Sequence, residues 1–167
     1  MGFMGLGFSI LSFQQNKHKG IILFQLLAGV TFVLHFYCLG AYTGAALNMV
    51  DVLRSVVFIN RGKKWADNVL WVVLFAGMCV VSCICTWIGP LSLLPMAGMI
   101  LTTISMWLKD PKWVRRVSLP SSPLWITYNA LTKSYGGVCT ELFVITSIIV
   151  GMLRYDIKRN QKEKITE

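Results

Sequence analysis

A chain of 167 residues has the length of one domain, but with 55% hydrophobic and 14% charged residues and a mean hydropathy of +0.62 it would expose a large apolar surface in water. Composition excludes an ordinary soluble domain and predicts an integral membrane protein. The net charge of +9 does not point to nucleic acid, because the Lys and Arg residues cluster between apolar runs, as cytoplasmic loops do.

The first apolar run, 1–15, has its first cation behind it, at Lys17. That order predicts a span translocated N-terminus first, not a cleaved secretory signal. Six further helices are predicted at 20–39, 44–60, 67–88, 91–108, 118–132 and 136–155. Between them lie the uncharged turn Gly40 to Thr43, the Gly89-Pro90 break, and Lys133-Ser134-Tyr135 ahead of Gly136-Gly137. A basic cytoplasmic tail, 158–167, ends the chain. With the N-terminus outside, fourteen Lys and Arg fall inside, Lys133 alone falls outside and Arg54 lies within a span. The expectation is therefore seven spans, N-out and C-in.

The chain also repeats. "AYTG" at 41–44 matches "SYGG" at 134–137, each between a helix with an aromatic, polar spot and a long apolar helix ending in Arg. A three-helix unit, 1–62, recurs at 91–157, joined by a linking helix within 63–90. One linker between two odd-numbered units leaves both in the same orientation, so the predicted fold is all-α, a 3+1+3 parallel repeat.

Charged residues in a span normally face the protein interior and a partner. Asp51 and Arg54, three apart on one helix, can neutralise each other. Glu141 has no such neighbour; it must protonate, meet His35 or Arg54 across the bundle, or face water. His35 and Asp51 are sixteen apart, as are Trp125 and Glu141, so two facing units would bring rings and carboxylates to a central axis. The tetrapeptides set an offset of 93, pairing Asn48 with Glu141, whereas the ring and carboxylate match sets 90, pairing Asp51 with Glu141. Either way a pocket for a small polar solute is predicted, lined by His35, Asn48, Asp51, Arg54, Trp125 and Asn129 together with Glu141. Gln25, Thr102 and Thr103 read as hydrogen bonds between helices.

Other motifs carry less. Cys79, Cys83, Cys85 and Cys139 lie in apolar runs and Cys38 at the end of one, reading as buried thiols, with neither a disulfide framework nor a metal site. "GFMGLG" follows no strand, so it predicts close helix packing and no nucleotide cofactor. Trp65, Trp71, Trp87, Trp107 and Trp113 read as interfacial anchors.

The segments "LHFYCLGAYTGAALN…DVLRS" and "PLWITYNALTKSYGGVCTELF" resemble the YgjV-type bacterial inner-membrane proteins over nearly the whole chain. That resemblance implies a location and no particular activity. More distantly, the 3+1+3 layout resembles the SWEET, SemiSWEET and PQ-loop transporters, where a Trp in the second helix and an Asn in the third helix of each unit line the substrate site. Trp125 matches; His35 stands at the other Trp position, and Asp51 and Glu141 stand at the Asn positions. "FQQ" at 13–15 keeps a Gln without the Pro-Gln pair, and Pro95, Pro120 and Pro123 all fall in the second unit.

The function expected is a transporter or facilitator of a small polar solute, with His35 and the carboxylates able to carry protons. The alternative is a ligand-binding or sensing membrane protein without translocation. An intramembrane enzyme is disfavoured, since no Ser or Cys nucleophile has a suitable His and no metal-ligand motif is present. The expected partners are the solute and the lipid bilayer, with homo-oligomerisation left open.

Overall fold

A computed structural model describes residues 2–157; the predicted basic tail lies outside these residues. The chain is helical: α1 Gly2–Gln14, α2 His18–Cys38, α3 Tyr42–Ile59, α4 Leu70–Cys85, a 3-10 turn at Pro90–Ser92 leading into α5 Leu93–Trp107, α6 Pro111–Ser118, α7 Ser121–Leu131 and α8 Tyr135–Gly151, continued by a π-helical segment Met152–Ile157. No strand occurs among the described residues.

One helix was not expected. The basic run at 112–116, read from sequence as a loop, is the body of α6. Asp110 caps it by accepting a bond of 3.0 Å from the Lys112 amide, and Pro111 occupies its first position, where a missing N–H costs nothing. Pro120 then separates α6 from α7, because proline cannot donate the bond that would continue the helix.

Four stretches are long and apolar enough to cross a bilayer: His18–Cys38, Tyr42–Ile59, Pro90–Trp107 and Tyr135–Tyr155. Met4–Gln14 and Leu70–Cys85 are apolar but shorter. The eleven residues of α7 reach only about 16 Å at 1.5 Å per residue. Length and composition thus support four of the seven expected crossings.

In the bundle α2 packs between α1 and α3, and α8 between α1 and α7, while α5 touches α3, α4, α6 and α7. Ile21, Leu47, Phe58, Met106, Tyr128 and Ile148 anchor the core. Large apolar side chains such as Val73, Ile84 and Leu142 remain on the outside, as lipid contact requires.

The basic segments meet at one end. His18 bonds the Met106 carbonyl at 3.0 Å, Arg61 stacks 3.6 Å over Trp107, and Asp67 bridges Arg61 (3.0 Å) and Lys109 (3.5 Å). The hydrogen bond from Arg61 holds the Asp67 carboxyl below its ordinary range. Gln14 also donates to the Ser147 carbonyl at 2.8 Å, tying α1 to α8 near this end.

Candidate functional site

The turns that deliver α3 and α8 share one construction. In the first, amides of Leu39, Gly40 and Ala41 bond the carbonyls of His35, Tyr37 and Phe36; in the second, Thr132, Lys133 and Ser134 bond Tyr128, Ala130 and Asn129. Every partner in the second turn lies 93 positions after its counterpart. The residue forced into the left-handed region is Gly40 (φ 69°) in one and Lys133 (φ 58°) in the other. Glycine packing follows the same offset: Gly5 lies against Phe32, and Gly98 against Trp125.

This register corrects one sequence expectation. The counterpart of the Trp125 and Glu141 pair is Phe32 and Asn48, not His35 and Asp51. At about 100° per residue, three residues leave a net rotation of about 60°: on α3 both Asn48 and Asp51 still line the central cavity, whereas on α2 Phe32 does and His35 does not.

Between the two helix groups lies a cavity of about 90 Å³, large enough for roughly six waters. Its lining follows the offset of 93 as well: Phe32 with Trp125, Phe36 with Asn129, and Asn48 with Glu141. Six of the seven residues predicted from sequence, Asn48, Asp51, Arg54, Trp125, Asn129 and Glu141, are brought together there. His35 is not. Its half-buried ring faces α1, close to Gly2 and edge-on to Phe32 and Phe36, while the next residue, Phe36, turns toward the cavity to meet Trp125 at 6.2 Å.

Asp51 and Arg54 form a buried ion pair. Arg54 also donates to the Thr103 hydroxyl at 2.8 Å across α3 and α5, so Thr103 does act between helices. Gly29 lets α2 pass beside this pair: an added Cβ would sit 3.1 Å from the Asp51 carboxylate. Glu141 is left in a different condition. It meets neither His35 nor Arg54, and no ion pair to it exists among the described residues; the hydroxyl of Ser122 is its neighbour. Asn129 is 2% exposed, and its Oδ1 accepts no hydrogen bond.

Hydroxyls complete the wall. Thr102 donates to Gly98, Thr140 to Gly136 and Ser121 to Ser118, each to a carbonyl of its own helix or the adjoining turn, and Asn48 donates to Gly44. These four donors are thereby occupied and their oxygens remain as acceptors, while Gln25, Trp125 and Asn129 contribute N–H-bearing side chains to the lining. Thr102 was expected to bridge helices but bonds within its own. Sequence reading missed Phe32, Phe36 and the serines at 118, 121 and 122. The 93-residue offset, applied from Trp125 and Asn129, points to both phenylalanines; the serines gave no signal, since "SLPSSP" reads as a helix boundary.

Of the cysteines expected to be buried, Cys79 and Cys83 are, whereas Cys38, Cys85 and Cys139 are exposed on apolar outer faces or helix ends. No group of three or more His, Cys, Asp or Glu able to hold a metal occurs among the described residues.

Residues 1–159 match the family described as bacterial inner membrane protein, Imp-YgjV. The chain belongs to that family. A relative is the inner membrane protein YgjV of Escherichia coli (strain K12), 24% identical over 128 residues, which are 77% of this chain and 65% of the relative. The match thus spans slightly less than two thirds of that relative's length. No solved structure matches. Membership in Imp-YgjV together with the apolar helices makes this a bacterial inner membrane protein.

Proposed function

We propose that this protein is a transporter or facilitator of a small polar solute, and that the solute binds in the central cavity near the bilayer midplane. The observation that carries this reading is a cavity between the two helix groups, lined in register by both, with a carboxylate that has no ion-pair partner among the described residues. A charge in a lipid-embedded bundle is costly unless function retains it.

A 3+1+3 parallel repeat supports the same reading, with α1–α3 as one unit, α4 as linker, and α5 with α6–α8 as the other. In that arrangement α6 and α7 together correspond to α2, the shorter helices complete seven crossings, and the basic end faces the cytoplasm with the N-terminus outside. The likeness to SWEET and PQ-loop transporters gains a match at Asn48, which takes the third-helix Asn position in the 93-residue register. Glu141 remains its departure.

The test is flux. In proteoliposomes, solutes that co-purify with the protein and are identified by mass spectrometry should accumulate with wild type, and Glu141→Gln should abolish their uptake. Uptake unchanged in that variant would refute the assignment. The alternative, ligand sensing without translocation, draws on the asymmetry of the prolines: Pro95, Pro120 and Pro123 all lie in the second group and none in the first. Binding without flux would select it.

A further inference from the structure

The charge and hydrogen-bonding balance of the cavity restricts what it holds. Three ionisable side chains line it, Asp51, Arg54 and Glu141. The first two cancel as an ion pair, leaving one carboxylate in excess. Arg54 Nε and Asn129 Oδ1 are both enclosed without a partner and do not decide the balance. The hydroxyls of Thr102, Ser121 and Thr140 already donate to the main chain and offer oxygens to the cavity. An anion would meet the Glu141 carboxylate with no cation left over to offset it. A neutral polyol would leave that charge uncompensated.

We infer that the cavity takes a small primary-amine cation, its ammonium donating to the Glu141 carboxylate and to hydroxyl oxygens of the wall, its carbon chain lying along the Phe36 and Trp125 rings. An ammonium offers three donors and no acceptor, which complements a carboxylate among hydroxyls that already donate elsewhere. The aromatic rings favour a cation with an apolar stem over a bare metal ion, and the volume of about 90 Å³ limits the stem to a few carbons. The inference rests on the cavity being a ligand site, as proposed above, and adds the charge class of the ligand.

The charge class is tested with three near-isosteric probes, ethanolamine, ethylene glycol and glycolate, measured by equilibrium dialysis against full-length protein in lipid nanodiscs at constant ionic strength. Ethanolamine should bind about tenfold tighter than the diol, because a hydrogen bond to a charged group is worth roughly twice a neutral one, and glycolate should not compete. Glu141→Gln should lose that tenfold preference while Glu141→Asp keeps most of it. Equal binding of ethanolamine and the diol, or competition by sodium as strong as by the amine, overturns the inference. So does unchanged amine affinity in Glu141→Gln. If that variant fails to fold, the probe series on wild type decides alone. Diol or glycolate binding that disappears in Trp125→Ala would leave the cavity a ligand site while removing the cation assignment; flux in proteoliposomes reports separately on transport.

Discussion

The two sides of the cavity are built on the same backbone plan and carry opposite chemistry. On the α2–α3 side, a 21-residue helix runs unbroken past a buried ion pair whose charges cancel. On the α7–α8 side, the helix is cut at Pro120 and the carboxylate of Glu141 has no ion-pair partner among the described residues. The difference teaches that one side cancels its buried charge internally while the other leaves a carboxylate unpaired, and it is on this second side that the proposed ligand would supply the missing partner.

Removing charge on the two sides should therefore have opposite consequences, and the largest effect is expected at Asp51. Asp51→Asn leaves the Arg54 guanidinium buried and uncompensated, a loss of about 3–5 kcal/mol. It should appear as a collapse of the thermal transition in detergent, with Asp51→Asn combined with Arg54→Met recovering most of it. A mild effect of Asp51→Asn alone would remove the contrast with Glu141.

Next in size is the pair of glycines where the third helix of each group crosses the second. A Cβ at Gly137 would lie 2.5 Å from Asn129, against 3.1 Å from Phe36 for one at Gly44. Gly137→Ala should cost about 1–3 kcal/mol by overpacking and Gly44→Ala less, while Gly136→Ala, with open space around it, should be nearly silent in the same melts. The reverse order would break the parallel between the turns.

A smaller effect of opposite sign is expected at the left-handed position itself. Lys133 carries a Cβ where Gly40 has none, and that conformation costs an L-residue about 1–2 kcal/mol. Lys133→Gly should raise stability by up to about 1 kcal/mol after glycine's greater chain entropy is counted, and Gly40→Ala should lower it.

The smallest effect belongs to the basic end. The depressed pKa of Asp67 means that its bond from Arg61 stabilises the folded state above the unfolded carboxyl value of about 3.9 and is lost as pH falls through the lower folded value. An acid titration of Asp67→Asn beside wild type should show the two melting curves converging at low pH, with only a slight separation at neutrality because the pair is exposed to solvent.

Much of this was legible in sequence because period and composition act locally. Apolar runs placed most helix centres, "AYTG" and "SYGG" located both turns, and the cost of charge in a span singled out Asp51, Arg54 and Glu141. Legibility failed where a local pattern had two meanings. The run "DPKWVRRVS" has the charge of a loop and the caps of a helix, and the caps decided it. A sixteen-residue spacing from a ring to a polar side chain fits both His35 with Asp51 and Phe32 with Asn48.

The sequence by itself determined that this is a helical membrane protein with two like turns and a few charges that must turn inward, because bilayer solvation acts on each residue where it stands. Only the tertiary structure decided which face of α2 turns inward. Burying Phe36 against Trp125 while Gly29 admits Asp51 is a single rotational choice for the helix, and it turns His35 away from the cavity toward α1. That choice is made by packing between residues far apart in the chain, which no local period encodes.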